Sequence, residues 1–232
     1  GMGGGGKTTL AQVVYNHPVV TKHFHRRIWA YVSHRFDVFR LITNMIETAT
    51  GCRPHLKTLE ALQRKLEEIL KNGRFLLVLD DVWDKQECLG EVLLKPLNCG
   101  LRGSKVIMTT RNRSEAGTHV PTTPIELGVM SNDECWSIFE NHALAGASPG
   151  DCNRLEMMRE KIVKKAQGVP LAAKALGGLA MSIRLSKQRR WNDLLKNEQE
   201  EDGENIISVL KRSYQQLPAP LKQCFPYCTL FP

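Results

Sequence analysis

Between residues 38 and 70 the apolar positions fall on two helical faces. Val38, Leu41, Ile42, Met45, Ile46 and Ala49 recur at three- and four-residue steps behind Asp37, a residue able to cap a helix start. Leu59, Leu62, Leu66, Ile69 and Leu70 repeat the pattern behind Thr58, and Gly73 closes it. Short continuous apolar runs stand between such stretches. Residues 28–33, 75–79 and 105–110 read as buried strands, and 124–127 as a last brief one. A helix over 7–15 opens the chain and ends near Asn16 and Pro18. Strand and helix therefore alternate through the first half. That order predicts a parallel sheet with helices on both faces, and a ligand at the carboxyl ends of its strands.

From Ser131 onward the period is helical. Ser131 and Glu134 have the spacing of a capping box. Helices are expected near 131–144, 153–167, 171–184, 189–198 and 204–215. The change from α/β to all-helical texture falls near residue 128. There is no internal repeat.

Composition narrows the class. The 232 residues are 42% apolar and 24% charged, as expected of a globular protein with a real core. No apolar run reaches the ~18 residues of a membrane helix, so no transmembrane segment is expected. The first residues are glycine-rich, with neither a basic start nor an apolar run behind it, so no signal peptide is expected. The cysteines at 52, 88, 99, 135, 152, 224 and 228 are odd in number and irregular in spacing. They read as reduced thiols, which points to the cytoplasm or nucleus. A formal charge of +8 permits nucleic-acid contact without requiring it. The bases are scattered beyond Arg26-Arg27 and Lys187, Arg189 and Arg190, and an acidic run at 198–204 follows. No stretch interleaves bases with stacking aromatics, so no nucleic-acid partner is expected. The seven histidines show no ligand or triad spacing.

Four segments carry candidate chemistry. Gly1-Met2-Gly3-Gly4-Gly5-Gly6-Lys7-Thr8 fits G-x-x-x-x-G-K-[ST], the P-loop. Phosphate oxygens must approach the backbone closely, so side chains are absent and successive N–H groups converge as a nest. The following helix points its positive end at the same anion. Lys7 supplies a charge for the β- and γ-phosphates, and the Thr8 hydroxyl can ligate Mg²⁺. Leu76 to Leu79 lead into Asp80 and Asp81, so a buried strand delivers carboxylates to the sheet edge. There Asp80 can help hold Mg²⁺, and Asp81 can orient or deprotonate a water. The strand at 105–110 ends in hydroxyls and Arg111, which would stand on the nucleotide side. Gly168-Val169-Pro170 reads as a corner between two helices.

These blocks, in this order, resemble the NB-ARC module of plant nucleotide-binding, leucine-rich-repeat immune receptors. The stretches GMGGGGKTTLAQ, RRIWAYVSHRFDVFRLITNMI, LLVLDDVW, GSKVIMTTR, GVPLAAKALGG and CFPYCTLFP carry the resemblance, which spans essentially the whole chain. Trp83 after the double aspartate resembles the coiled-coil class rather than the TIR class. The resemblance implies an α/β P-loop NTPase fold, then a helical bundle, then a winged helix. Residues 1–125, 126–200 and 201–232 would correspond to these three, the last only begun. It implies an ADP-bound off state and an ATP-bound on state, with Mg²⁺, and at most slow ATP hydrolysis that resets the switch. By motif position, Gly3, Gly4, Gly5, Gly6, Lys7, Thr8 and Thr9 would cradle the phosphates, and Thr8 and Asp80 would serve Mg²⁺. Asp81 would be the base, Arg111 the sensor, and Pro170 an adenine-side contact. Partners implied are an N-terminal signalling domain and leucine-rich repeats in cis, and further copies of itself when ATP-bound.

Departures from the family pattern are Gly5 for the usual valine and Val169 for leucine. The family's strand before the P-loop and its later Met-His-Asp block are not in the sequence. A translated amplicon, cut at two blocks suited to degenerate primers, is the expectation, and with it poor folding and weak nucleotide binding. A P-loop kinase or ATPase outside the immune family is the alternative. A kinase needs an arginine-bearing lid after its core, whereas the second half reads as a helical bundle.

Overall fold

The computed structural model describes residues 2–32, 37–83, 93–111, 124–185, 206–215 and 217–227. The helix expected at 189–198, the basic and acidic clusters around it, Cys88, Cys228 and the end of the CFPYCTLFP block lie outside the described residues. The chain divides into two compact units, one built mainly of Lys7–Glu126 and the other mainly of Leu127–Phe231.

The first unit is built on a parallel sheet of β1 (Arg26–Tyr31), β2 (Phe75–Val82) and β3 (Lys105–Thr110), in that spatial order. Ile28 pairs with Leu77, and Leu77 with Val106. Strand residues alternate between faces, so the sheet has two cores. Ile28, Ala30, Phe75, Leu77 and Leu79 pack with Leu41, Ile42, Met45 and Ile46 of α3 (Val38–Thr50) and Leu62, Leu66 and Leu70 of α4 (Leu59–Leu70). Leu76 and Val78 face the other way, onto Ala11 and Tyr15 of α1 (Lys7–Asn16), with Val20 of α2 (Pro18–His23) and Trp29. The short α5 (Leu94–Leu97) precedes β3.

One residue breaks this alternation. Val82 belongs with the odd-numbered residues of its strand, on the α3/α4 face. The cause is Asp81, whose φ of 59° is left-handed, and the β2/β3 register shifts there between Leu79 and Val82. A single bulged residue reverses the side-chain phase of the strand end.

Both capped helices form where the sequence places them. The Asp37 carboxylate accepts the Phe39 N–H at 2.9 Å, and the Thr58 hydroxyl accepts the Ala61 N–H at 3.3 Å. Gly51 closes α3 with a φ of 75°.

The second unit is helical. It holds α6 (Asn132–Ala143), α7 (Pro149–Glu156), α8 (Arg159–Ala166), α9 (Pro170–Leu185), α10 (Ile206–Gln215) and α11 (Ala219–Cys224). Trp136 and Phe139 of α6 stack at 5.0 Å between centroids and lie in one core with Ile162, Ala173 and Leu176. The Ser131 capping box is present with both of its bonds.

Two expectations fail. Residues 124–127 form no strand; Ile125 is 90% exposed and gains nothing from a sheet position. The helix expected over 153–167 is two helices. Ser148 caps α7 and Pro149 takes its first turn, and the chain breaks at Met157–Met158 before α8 begins. At the break Met157 points into solvent, 88% exposed, while Met158 packs against the helical core. The strand expected at 28–33 is β1, displaced to Arg26–Tyr31; Val32 still donates its N–H to Asp80 O at 2.9 Å. Among the described residues no helix is long and apolar enough to cross a membrane.

Candidate functional site

Two glycines set the loop that enters α1. Gly4 has a φ of 75° and Gly6 of 89°, values a β-carbon makes costly. Successive N–H groups in such a backbone turn to one side, and α1 adds the positive end of its dipole. Lys7 bends back over this loop and donates from Nζ to Met2 O at 2.8 Å. Thr8 and Thr9 are exposed on the first turn of α1. Gly3 lies close to Arg111, since a β-carbon built on it would stand 3.8 Å from Arg111 Nη1.

The strand ends meet this turn. Thr8 Oγ1 donates to Asp80 Oδ1 at 2.9 Å, joining two positions 72 residues apart. Asp80 is 6% exposed at the carboxyl end of β2, where Tyr31 of β1 is its register partner. Asp80 Oδ1 also accepts the Thr109 hydroxyl at 2.6 Å.

Asp81, turned by its left-handed backbone, faces different partners. Arg111 Nε donates to its Oδ1 at 3.2 Å, and Nη2 to its Oδ2 at 3.4 Å. The Arg111 guanidinium lies over the Trp83 ring, 4.9 Å from its centroid. The Tyr31 phenol lies near the Asp81 carboxylate. Burial pushes that phenol above its ordinary 10.0, and the Asp81 charge adds to the effect against Arg111. Lys7 is shifted the other way. Burial lowers it from 10.5, Arg111 lowers it further, and Asp81 and Asp80 oppose.

This donor set fits a nucleoside diphosphate or triphosphate with Mg²⁺. The loop offers backbone N–H groups and an ammonium to phosphate. Thr8 and Asp80 put a hydroxyl and a carboxylate oxygen within 2.9 Å of each other. Among the described residues no group of three His, Cys, Asp or Glu side chains converges. Two protein oxygens supplemented by phosphate and water suit Mg²⁺ rather than an all-protein metal cage.

Lys7, Thr8, Asp80, Asp81 and Arg111 are thus neighbours around one strand edge. Pro170 opens α9 behind Gly168, whose φ is 71°, and stands against the glycine loop: a β-carbon built on Gly6 would lie 3.9 Å from Pro170 Cγ, and the Leu171 N–H donates to Gly4 O at 3.3 Å. Sequence reasoning gave no role to Tyr31 or Thr109, and used Trp83 only to separate two classes. The usable signal was position. Each stands at or just past the carboxyl end of a strand, where ligands of parallel sheets sit.

Comparison with known proteins agrees with this geometry. The NB-ARC domain family matches residues 1–148. The disease resistance protein RGA2 of Solanum bulbocastanum is 42% identical over 237 residues, covering 100% of this chain and 24% of that protein. The putative disease resistance RPP13-like protein 1 of Arabidopsis thaliana is 36% identical, covering 100% of this chain and 22% of its own length. The disease resistance protein RPM1 of Arabidopsis thaliana is 34% identical, covering 100% and 26%. The chain spans about a quarter of the length of these relatives. With a family match over most of its length and a parallel sheet edged by a P-loop, the chain belongs to the NB-ARC domain family and has the P-loop nucleoside triphosphatase fold.

Proposed function

We propose that this chain is the nucleotide-binding switch of a plant immune receptor, with ADP held in the off state and ATP in the on state. The observation that carries the reading is the Thr8–Asp80 hydrogen bond, which brings the P-loop hydroxyl onto the carboxylate of the neighbouring strand end. The names of the relatives support the immune role.

In this reading Gly3 to Thr9 hold the phosphates, with Lys7 as their counter-charge. Thr8 and Asp80 hold Mg²⁺, which when bound neutralises charge on the phosphate oxygens. Asp81 accepts the proton of an attacking water, its carboxylate having lone-pair sites beyond the two that Arg111 occupies. Arg111 has two alternative partners, Asp81 and a terminal phosphate, so its position reports which nucleotide is present. Pro170 serves the adenine side. Residues 1–125 are the nucleotide-binding domain, 126–200 a helical-bundle subdomain and 201–232 the start of a winged helix. Nucleotide state matters through differential affinity for two conformations, and slow hydrolysis only resets it. Regulation in cis by a signalling domain and leucine-rich repeats, self-association when ATP-bound, and residence in the cytoplasm or nucleus complete the proposal.

The test is nucleotide content and ADP affinity of the chain beside Lys7→Ala. ADP that co-purifies with the unsubstituted chain and is lost in Lys7→Ala supports the switch. A cooperatively folded chain that binds no nucleotide in either form rejects it.

A further inference from the structure

Thr109 stands on β3, and none of the roles above uses it. It is 7% exposed, and its hydroxyl makes two hydrogen bonds. Oγ1 donates to Asp80 Oδ1 at 2.6 Å and accepts the Asp81 N–H at 2.9 Å. The same carboxylate oxygen accepts Thr8 Oγ1 at 2.9 Å. One buried oxygen is therefore fixed between two hydroxyls that come from separate elements. A carboxylate with two such donors has little freedom to rotate.

The bond to Asp81 has a separate consequence. A left-handed φ of 59° costs a non-glycine residue about 1–2 kcal/mol, so something must hold it. At this bulge β2 leaves the regular ladder, and the Asp81 N–H is taken by a β3 side chain instead of a backbone oxygen. That turned backbone is what aims the Asp81 carboxylate at Arg111 while Asp80 points at Thr8.

We propose that Thr109 is a positioning residue of the nucleotide site: its hydroxyl orients Asp80 toward Thr8 and pins the reversed backbone of Asp81. The proposal rests on the nucleotide reading above. A hydroxyl is required because the group must donate to one partner and accept from the other. Valine matches the shape and can do neither, whereas serine can do both.

Two measurements test it. The first is the Mg²⁺ concentration that half-restores binding of a fluorescent ADP analogue after chelation. Thr109→Val should raise it about 10–100-fold, the usual cost of losing a partner behind a metal-ligating carboxylate. ADP affinity in excess chelator should change by less than about twofold, because the phosphate loop is untouched. Thr109→Ser should restore the unsubstituted midpoint. Equal loss with and without Mg²⁺ would mark a merely structural residue and overturn the proposal, as would a serine variant that behaves like valine. The second measurement needs no ligand: the Asp81 amide should be protected from hydrogen exchange in the unsubstituted chain and in Thr109→Ser. An unprotected Asp81 amide in either overturns the proposal even if Thr109→Val fails to fold. A chain that binds no ADP rejects the nucleotide reading and this role with it, while a protected amide would still establish the bond.

Discussion

Arg111 grips Asp81 with two nitrogens, Nε at 3.2 Å from Oδ1 and Nη2 at 3.4 Å from Oδ2. Both contacts are long for a charge-assisted pair. The Arg111 side chain is also 56% exposed, so the pair contributes at most about 1 kcal/mol. Stacking on Trp83 keeps the guanidinium close to the site without fixing its hydrogen bonds. In the proposed sensing role such a weak contact would yield to a terminal phosphate, whose bonds to arginine are shorter and stronger. Arg111→Ala should therefore weaken a non-hydrolysable ATP analogue about tenfold more than ADP, the value of one charge-assisted hydrogen bond. Arg111→Lys should resemble the alanine variant, since it lacks the planar fork. Titration of both nucleotides checks this, and an equal loss for the two would remove Arg111 from the sensing role.

Lys7 gives a pH prediction whose sign follows from its surroundings. Its folded-state pKa is depressed below 10.5, chiefly by burial and then by Arg111. The ammonium is thus disfavoured in the folded, ligand-free chain. Its cost is fully present below the depressed value and is relieved as pH rises from there toward 10.5. Lys7→Met should accordingly be slightly more stable than the unsubstituted chain near neutral pH, with the difference fading in alkali. Urea midpoints at several pH values measure it, and groups common to both proteins cancel. A Lys7→Met chain less stable at neutral pH would mean that the bond to Met2 O outweighs desolvation.

What the chain declares about itself depends on how local the cause is. Asp37 and Thr58 act on N–H groups two or three residues away, so their helices could be read directly from the sequence. The meeting of Thr8 and Asp80 follows from a glycine loop and a strand end, each recognisable alone. The part played by Thr109 does not, because it depends on the β2/β3 register and on the bulge at Asp81, which no local pattern encodes. The expected strand at 124–127 fails for the opposite reason. Four residues of strand character form no ladder without a neighbour, and Ile125 stays in solvent. Pro18 marks the end of α1 in the sequence, yet it also opens α2, with the His17 ring accepting the Val19 N–H at 3.3 Å. A proline marks a boundary without saying which side is helical.

Three glycines separate backbone strain from crowding. Gly51 has a φ of 75° with nothing within 4 Å of an added β-carbon. Gly177 is helical, but its β-carbon would lie 2.7 Å from His142 Cβ and 2.8 Å from Phe139 O, where α9 presses on α6. Gly168 combines both, with a φ of 71° and contacts of 2.6 Å to Val129 Cβ and 2.9 Å to Met130 O. Its own carbonyl accepts the Met130 N–H at 2.9 Å, so the turn cannot move away without losing that bond. Gly51→Ala should cost about 1 kcal/mol, the left-handed penalty alone. Gly177→Ala should cost about 1–3 kcal/mol from overpacking alone. Gly168→Ala should exceed either, at about 2–4 kcal/mol, because neither strain nor contact is relieved by relaxing the other. Chemical denaturation of the three variants orders them. If Gly168→Ala were no worse than Gly51→Ala, the Val129–Met130 segment would have to yield freely, and the tight corner before α9 would be packing of convenience rather than a constraint on where Pro170 stands.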